Sequence, residues 1–221
     1  QAADYITAAN ISYTDNNDAY SLERCMLDVY YPKDRTGCPV VVWFHGGGLI
    51  GGGKYIPEQL RNSGYVVVAA NYRFLTKVDI HECIDDAAAA VAWVFKHISE
   101  YGGDPGNIYV SGHSAGGYLT SMIGLDKKYL AKYGIDADSI AALIPFSGQV
   151  MTHYEYRTRN GGSAYVPTID DTAPIAHVRA DGPPYIIVSG DRNLELYGRY
   201  EENAYMWRMM KLIRSEEHTS E

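Results

Sequence analysis

Short runs of β-branched residues alternate along this chain with segments of helical periodicity, and this alternation restricts the fold more than any other feature. The runs are almost wholly apolar, which is typical of strands covered on both faces. Predicted strands of this kind occupy residues 40–44, 65–71, 108–112, 141–146 and 185–189. Predicted helices occupy residues 57–63, 80–99, 115–125 and 196–213. The pattern predicts an α/β fold with a mostly parallel central sheet and helices on both faces.

Three segments fall outside this alternation. Residues 24–31 alternate in polarity and end at Pro32, which predicts an antiparallel strand at the sheet edge. Residues 147–183 are broken by glycines and prolines, and they form either an active-site insertion or a plain surface loop. We expect residues 1–213 to form a single domain. The tail at 214–221 resembles the translation of a sequencing adaptor, so we expect it to be non-native and exclude it from the fold.

Composition and charge exclude several classes of partner. Of all residues, 46% are hydrophobic and 21% charged, with no apolar run long enough to span a bilayer. The net charge of −8, with scattered Lys and Arg, argues against nucleic acid. The 3 cysteines lack metal-ligand spacing, so we expect buried free thiols, no metal and no cofactor. The start at Gln1 suggests a mature secreted or periplasmic protein, although a clipped gene fragment would look the same.

A candidate nucleophile lies between the third predicted parallel strand and the helix that follows it. Residues 112–116 read G-H-S-A-G, which matches the G-x-S-x-G pattern of a serine at a sharp strand-to-helix turn. The small flanking residues let neighbouring backbone approach, and the helix N-terminus stabilises negative charge. The pentapeptide alone is common in glycine-rich chains. In this setting it indicates that Ser114 is a nucleophile.

A candidate oxyanion hole follows the first predicted parallel strand, where residues 45–48 read H-G-G-G. Successive glycines permit amide N–H groups to face a single point, at which a tetrahedral oxyanion would be stabilised. The predicted donors are the backbone N–H groups of Gly46, Gly47 and Ala115. Further glycines at 51–53 leave a flexible loop as the alternative. We interpret His45 as a turn-stabilising side chain, because the base of such a site follows the nucleophile.

The acid and the base should follow the serine in the order Asp or Glu, then His. Asp191 is the first carboxylate after the predicted strand at 185–189, and Glu195 is the alternative acid. An Asp in this position is also a favoured helix N-cap. No strand pattern follows the last helix, and His218 is the only histidine after Asp191. We therefore expect that the last strand and helix, with the catalytic histidine, are missing, and that His218 does not replace it.

The chain resembles the α/β-hydrolase esterases grouped as bifunctional feruloyl and acetyl xylan esterases, related to the hormone-sensitive-lipase type. The similarity covers nearly all of residues 20–213. It rests on residues 45–48, 71–73, 85–86, 102–105 and 112–117, and on the stretch 190–199 with Glu201, Glu202, Asn203 and Tyr205. The departure is the absent C-terminal strand and histidine. Arg73 and Asp86 are interpreted as a structural ion pair beneath the site.

The resemblance implies the α/β-hydrolase fold and a serine carboxylic ester hydrolase. Such an enzyme would remove acetyl or feruloyl groups from plant polysaccharide through an acyl-enzyme on Ser114, with a small-molecule or oligosaccharide ester as substrate. An arylformamidase or a lipase-like short-chain esterase would share every motif, because fold and triad do not set the substrate. A catalytically dead binding module of the same fold would need Ser114 to be replaced.

Overall fold

This computed structural model describes residues 3–219, with the side chains of residues 3–214. The strands are β1 (Tyr5–Ser12), β2 (Met26–Pro32), β3 (Cys38–Phe44), β4 (Val66–Ala70), β5 (Gly103–His113) and β6 (Ala142–Phe146). The helices are α1 (Ala19–Arg24), α2 (Ile80–His97), α3 (Ala115–Leu125), α4 (Lys128–Ala131), α5 (Tyr154–Arg159) and α6 (Arg199–Thr219). No helix of the described chain is both long and apolar enough to cross a bilayer.

The strands form one sheet in the order β1-β2-β4-β3-β5-β6. Strands β4, β3, β5 and β6 run parallel to one another. Strand β2 pairs antiparallel with β4 on one side and with β1 on the other. Helices α2 and α3 pack on one face of the sheet, and the 3-10 helix Glu58–Leu60 lies over the opposite face. The predicted α/β-hydrolase fold, with a mostly parallel sheet and helices on both faces, is confirmed.

The core lies between the parallel strands and α2, and small side chains bring the two layers together. One face of β3 and β5 presents fully buried Val40, Val42 and Ile108. Helix α2 carries a run of four alanines at 87–90, which are almost wholly buried because the helix packs on the sheet and also on α3 and α4. Because alanine adds only a methyl group, the helix axis lies close to the sheet. The 3 cysteines are free and buried here, as expected.

The predicted strand at 185–189 is only partly formed. Its backbone pairs with β6 through two isolated parallel bridges, Leu143 with Tyr185 and Phe146 with Val188. The N–H of Ile186 donates to Leu143 O at 2.9 Å, and the N–H of Val188 donates to Pro145 O at 3.1 Å. The segment therefore extends the sheet in the predicted direction, beside β6, without forming a continuous strand.

The predicted helix at 57–63 is wrong, because only one 3-10 turn forms there. Pro57 at its N-terminal boundary makes no side-chain cap, and Asn62 and Gly64 take positive φ values of 54° and 85°. A left-handed residue ends a helix. The helical periodicity of residues 57–63 therefore does not produce an α-helix, because Asn62 and Gly64 adopt left-handed backbone.

The segment predicted at 24–31 forms β2, but it is not the edge strand. Strand β1 pairs along its outer side, and a register shift between Ala8 and Ile11, with Asn10 at a φ of 58°, interrupts the β1 pattern. A bulge of this kind leaves one residue unpaired and disturbs the alternation of side chains. Because the bulge interrupts the alternation in β1, the sequence pattern did not predict this strand, and β2 was predicted to lie at the sheet edge.

The last helix begins later and ends later than the predicted helix at 196–213. Tyr197 has a φ of 52° and precedes Gly198, so the helical backbone starts at Arg199. Helix α6 then continues to Thr219 without a break. Arg214 donates from Nη2 to Pro183 O at 3.0 Å. The backbone of residues 214–219 thus continues α6, and residues 220–221 lie outside the described chain. The expectation that 214–221 is a non-native tail stays a prediction.

The predicted ion pair between Arg73 and Asp86 is confirmed beneath the site. Arg73 donates to Asp86 from its backbone N, Nε and Nη2, each at 2.9 Å. Both side chains are almost fully buried, at 7% and 3% exposure. The pair joins the chain after β4 to α2, and it satisfies a guanidinium and a carboxylate that would otherwise be buried without partners.

We predict that Asp86→Asn destabilises the fold by roughly 3 to 5 kcal/mol, because it leaves the buried Arg73 charge with only the distant carboxylate of Glu82, 3.9 Å away. The neighbouring Asp85 provides a matched control, since its carboxylate pairs with the exposed Lys132 at 3.1 Å. Asp85→Asn should cost less than about 1 kcal/mol. Urea denaturation of both variants measures the two free energies of unfolding, and equal losses would contradict the prediction.

Candidate active site

Ser114 occupies a strained turn between the end of β5 and the start of α3. Its φ of 54° and ψ of −112° lie outside the regions that non-glycine residues prefer. A Cβ at Gly112 would lie 2.6 Å from the carbonyl oxygen of Phe44, and one at Gly116 would collide with the same oxygen. The two glycines of the motif are therefore required where the elbow crosses the end of β3. This is the setting that the sequence predicted for Ser114.

The glycine loop after β3 lies directly against the nucleophile. A Cβ built on Gly46 would be 3.6 Å from Cβ of Ser114, and Gly47 and Gly48 take positive φ values of 123° and 66°. Ala115 is the first residue of α3, so its N–H has no acceptor within the helix. Gly46 and Ala115 thus lie directly beside Ser114, and Gly47 follows Gly46 in the same loop. Their role as oxyanion donors stays a prediction.

His45 holds this loop in its conformation. Its Nδ1 lies 2.6 Å from Gly46 O, its ring stacks on Tyr72 at 4.5 Å, and the Tyr72 hydroxyl donates to His45 O at 2.8 Å. When Nδ1 donates to Gly46 O, the trans peptide turns the N–H of Gly47 to the opposite side. A neutral ring then offers Nε2 as an acceptor to Arg24 Nη2, 3.5 Å away. Burial lowers the pKa of His45 to about 4, with a smaller contribution from the Arg24 charge.

Arg199 is the functional residue that the sequence reasoning missed. It is 3% exposed, and its Nη1 donates to Ser114 Oγ at 3.1 Å and to Ser147 O at 2.8 Å. With the oxygen of the Gln149 amide facing Arg199, Nη2 donates to it at 2.9 Å, and the amide nitrogen donates to Ser114 O at 3.0 Å. Burial lowers the pKa of the guanidinium. The sequence signal for Arg199 was its place in the stretch 190–199, which is part of the family resemblance but gave this residue no role.

The two candidate acids occupy different environments. Asp191 is exposed, and its carboxylate accepts from the backbone N of Asn193 at 2.8 Å, as a turn-capping residue does. Glu195 points inward, where its Oε1 accepts from Ser147 Oγ at 2.5 Å and from Gly190 N at 2.8 Å. Burial acts to raise the pKa of Glu195, but these hydrogen bonds and the Arg199 charge lower it overall. The assignment of Asp191 stays a prediction, and the geometry favours the alternative, Glu195.

No imidazole among the described side chains donates to or accepts from Ser114 Oγ. His153 is fully buried, where it meets Gln149 and accepts from Glu155 N at 3.2 Å, and burial lowers its pKa well below the ordinary value. His113 is the last residue of β5, and its Nδ1 lies 3.2 Å from the position that a Cβ on Gly46 would take. The side chain of His218 lies outside the described residues. The expectations about the base therefore stay predictions.

A family model, BD-FAE, matches residues 27–160, which is more than half of the chain. The chain belongs to the BD-FAE family. The matched residues contain both the glycine loop and the Ser114 elbow, whereas Arg199 and Glu195 lie beyond them. Among the described residues, no group of three or more His, Cys, Asp or Glu side chains could hold a metal ion.

Several known proteins are similar to this BD-FAE chain. A probable carboxylic ester hydrolase of Mycobacterium tuberculosis, LipM, is 31% identical over 217 residues, which cover 85% of this chain and 48% of LipM. Esterase 2 of Thermogutta terrifontis, phosphoramylated by tabun, superposes with a TM-score of 0.72 at 26% identity, covering 94% of this chain and 79% of that one. The chain thus spans about half the length of LipM.

A truncated carbohydrate esterase from gut microbiota has the same fold. Its TM-score is 0.73 at 17% identity, and the superposition covers 96% of this chain and 85% of that one. At this identity the likeness supports the α/β-hydrolase fold only.

We predict that acidification from pH 6.5 to pH 4 lowers the free energy of unfolding. The folded His45 protonates only near its pKa of about 4, whereas the unfolded histidine protonates near 6.5. In this window the unfolded state binds more protons, so stability falls as the pH falls, by about 3 kcal/mol from this residue.

Urea denaturation at several pH values, with the wild type and His45→Asn, measures this loss. The variant keeps an amide donor near Gly46 O but has no titrating ring. It should retain only the loss that the buried His153 and the carboxylates cause. An unchanged pH slope in the variant would contradict the assignment.

Proposed function

We propose that this protein is a serine carboxylic ester hydrolase that works through an acyl-enzyme on Ser114. The observation that carries the proposal is the strained Ser114 elbow, with a φ of 54°, seated against the glycine loop at 45–48. The names of the similar proteins, among them LipM and esterase 2 of Thermogutta terrifontis, support the same chemistry. A catalytically dead binding module is disfavoured because Ser114 is present, and it occupies the strained turn beside the glycine loop.

In the proposed reaction, Ser114 Oγ attacks the ester carbonyl carbon while a base removes its proton. The carbonyl oxygen becomes an oxyanion, which the N–H groups of Gly46, Gly47 and Ala115 would stabilise. The alcohol leaves with a proton from the base, and water then hydrolyses the acyl-enzyme. The base is proposed to be a histidine outside the described side chains.

The polar contacts around Ser114 support this sequence of steps. Arg199 Nη1 donates to Ser114 Oγ, so the hydroxyl proton stays free to go to the base. The guanidinium charge also stabilises the serine oxygen as it loses its proton. Glu195 lies on the other side of Ser147, and a carboxylate there would hold an imidazole in the tautomer that the mechanism needs. We therefore propose Glu195 as the acid.

The substrate is proposed to be an acetyl or feruloyl ester of plant polysaccharide, acted on by a secreted or periplasmic enzyme. This step rests on the resemblance of residues 20–213 to that group of esterases. The second candidate, an arylformamidase or a lipase-like short-chain esterase, has the same nucleophile and the same glycine loop. Only measured substrate preference separates them.

We predict that Ser114→Ala lowers acetate release from acetylated xylan by ~10³-fold or more, because no acyl-enzyme can form. The measurement uses the natural gene product. Wild-type enzyme should also prefer acetylated xylan and feruloylated oligosaccharide to N-formylkynurenine and to long-chain triglyceride. Near-full activity of Ser114→Ala would overturn the proposed mechanism, and a preference for N-formylkynurenine would overturn only the proposed substrate.

We predict that Glu195→Gln lowers kcat by ~10³- to 10⁴-fold, as removal of the orienting carboxylate does in serine triads. Asp191→Asn is the matched control, since Asp191 is exposed on the same turn, and it should change kcat by less than about threefold. Steady-state kinetics with p-nitrophenyl acetate measures both values. The opposite ranking would assign the acid to Asp191.

A further inference from the structure

A cavity of about 310 Å³ opens beside the nucleophile, between α5, the segment at 164–167 and the start of α6. Gln149 and Arg199 line it, and both also contact Ser114. Tyr154 lines another wall, and its hydroxyl lies 3.2 Å from the position that a Cβ on Gly48 would take. The cavity therefore adjoins Ser114 through Gln149 and Arg199, and it adjoins the glycine loop through Tyr154.

Three tyrosine rings form most of the aromatic wall of this cavity. Tyr197 packs against Tyr154 at 5.2 Å between ring centroids and against Tyr165 at 5.5 Å, edge to face. Tyr197 has a φ of 52°, and it is still 50% exposed rather than buried in the core. Backbone strain at an exposed aromatic residue beside an active site points to a role in binding. The rings provide flat apolar surfaces that a ligand could cover.

Apart from its two arginines, the polar side chains that line the cavity include tyrosine hydroxyls and carboxylates. Among the described residues, no hydrogen bond occupies the hydroxyls of Tyr154, Tyr165 and Tyr197. Glu202 Oε1 accepts from Val150 N and Met151 N, and its second oxygen, Oε2, has no partner in the same part of the chain. These groups match a ligand that carries several hydroxyls.

The charges of the cavity argue against an anionic ligand. Arg157 also lines it, and three of its N–H donors are used by the backbone oxygens of Thr152, Ser163 and Ala164. The charge of Arg199 is offset by Glu195 and Glu202, which both act to raise its pKa. The four charged side chains that line the cavity are Arg157, Arg199, Glu201 and Glu202, whose charges sum to zero, so the lining does not favour an anion. A neutral ligand also avoids the cost of burying a charge.

We propose that this cavity binds one sugar ring of the alcohol portion of the ester, with the ring packed on Tyr197. The proposal rests on the proposed esterase function. A sugar ring has C–H faces that pack on aromatic rings and hydroxyls that satisfy the tyrosines and Glu202. A feruloyl ring carries one hydroxyl and one methoxy oxygen, so it would satisfy fewer of these polar groups than a sugar ring, which costs binding free energy. The volume lies at the lower end for ligand sites, as one ring requires.

Saturation-transfer NMR with methyl β-D-xylopyranoside tests the proposal without catalytic turnover. Sugar binding should weaken about fivefold in Tyr197→Ala, since an aromatic contact of this size is lost. It should stay within about twofold in Tyr205→Ala, a matched control because Tyr205 is also 50% exposed and lies on α6 outside the cavity. Tyr197→Phe should retain the packing and lose only the hydroxyl contribution.

Each other outcome overturns the proposal. Absence of sugar binding in the wild type, or equal binding in Tyr197→Ala and the wild type, would exclude a sugar site at Tyr197. Displacement of the sugar by ferulate would assign the cavity to an aryl acyl group. Failure of the esterase function is distinguishable, because it would appear as an unaffected Ser114→Ala variant while sugar binding persists.

Discussion

The parallel pairing of β3 with β5 is the constraint on which the rest of the site depends. In this register Phe44 lies opposite Gly112, so the two strands end at the same level of the sheet. The glycine loop leaves β3 at the point where the Ser114 elbow leaves β5. The carbonyl oxygen of Phe44 sits so close to Gly112 and Gly116 that neither position accepts a side chain. This close backbone contact holds the glycine loop against the turn that carries Ser114.

A layer of polar contacts then fixes the groups around Ser114. His45 sets the direction of the Gly46–Gly47 peptide, and Arg199 joins Ser114 Oγ to Ser147 O. Ser147 in turn donates to Glu195, which also accepts from the turn after the segment at 185–189. These hydrogen bonds connect Ser114 to Glu195 through Arg199, at the start of α6, and Ser147, directly after β6. Buried polar networks of this kind hold side chains in one arrangement because each group has a partner.

The same helix terminus serves the site and the neighbouring cavity. The left-handed backbone at Tyr197 ends the preceding turn and starts α6 at Arg199. Arg199 then points to the nucleophile, while the Tyr197 ring faces the cavity. The conformation of this short connection therefore places Arg199 at Ser114 and Tyr197 at the cavity.

The sequence by itself determined the elements whose signal is local. Apolar runs at 40–44, 65–71, 108–112 and 141–146 predicted the parallel strands, and the glycines around Ser114 and after His45 predicted the two turns. Tertiary structure alone decided the rest. The edge position of β1, the hydrogen bond of Glu195 with Ser147, and the arrival of Arg199 at Ser114 all depend on contacts between distant segments. A local pattern reports which face of an element is buried, but not which side chain meets it, because that depends on strand order and helix docking.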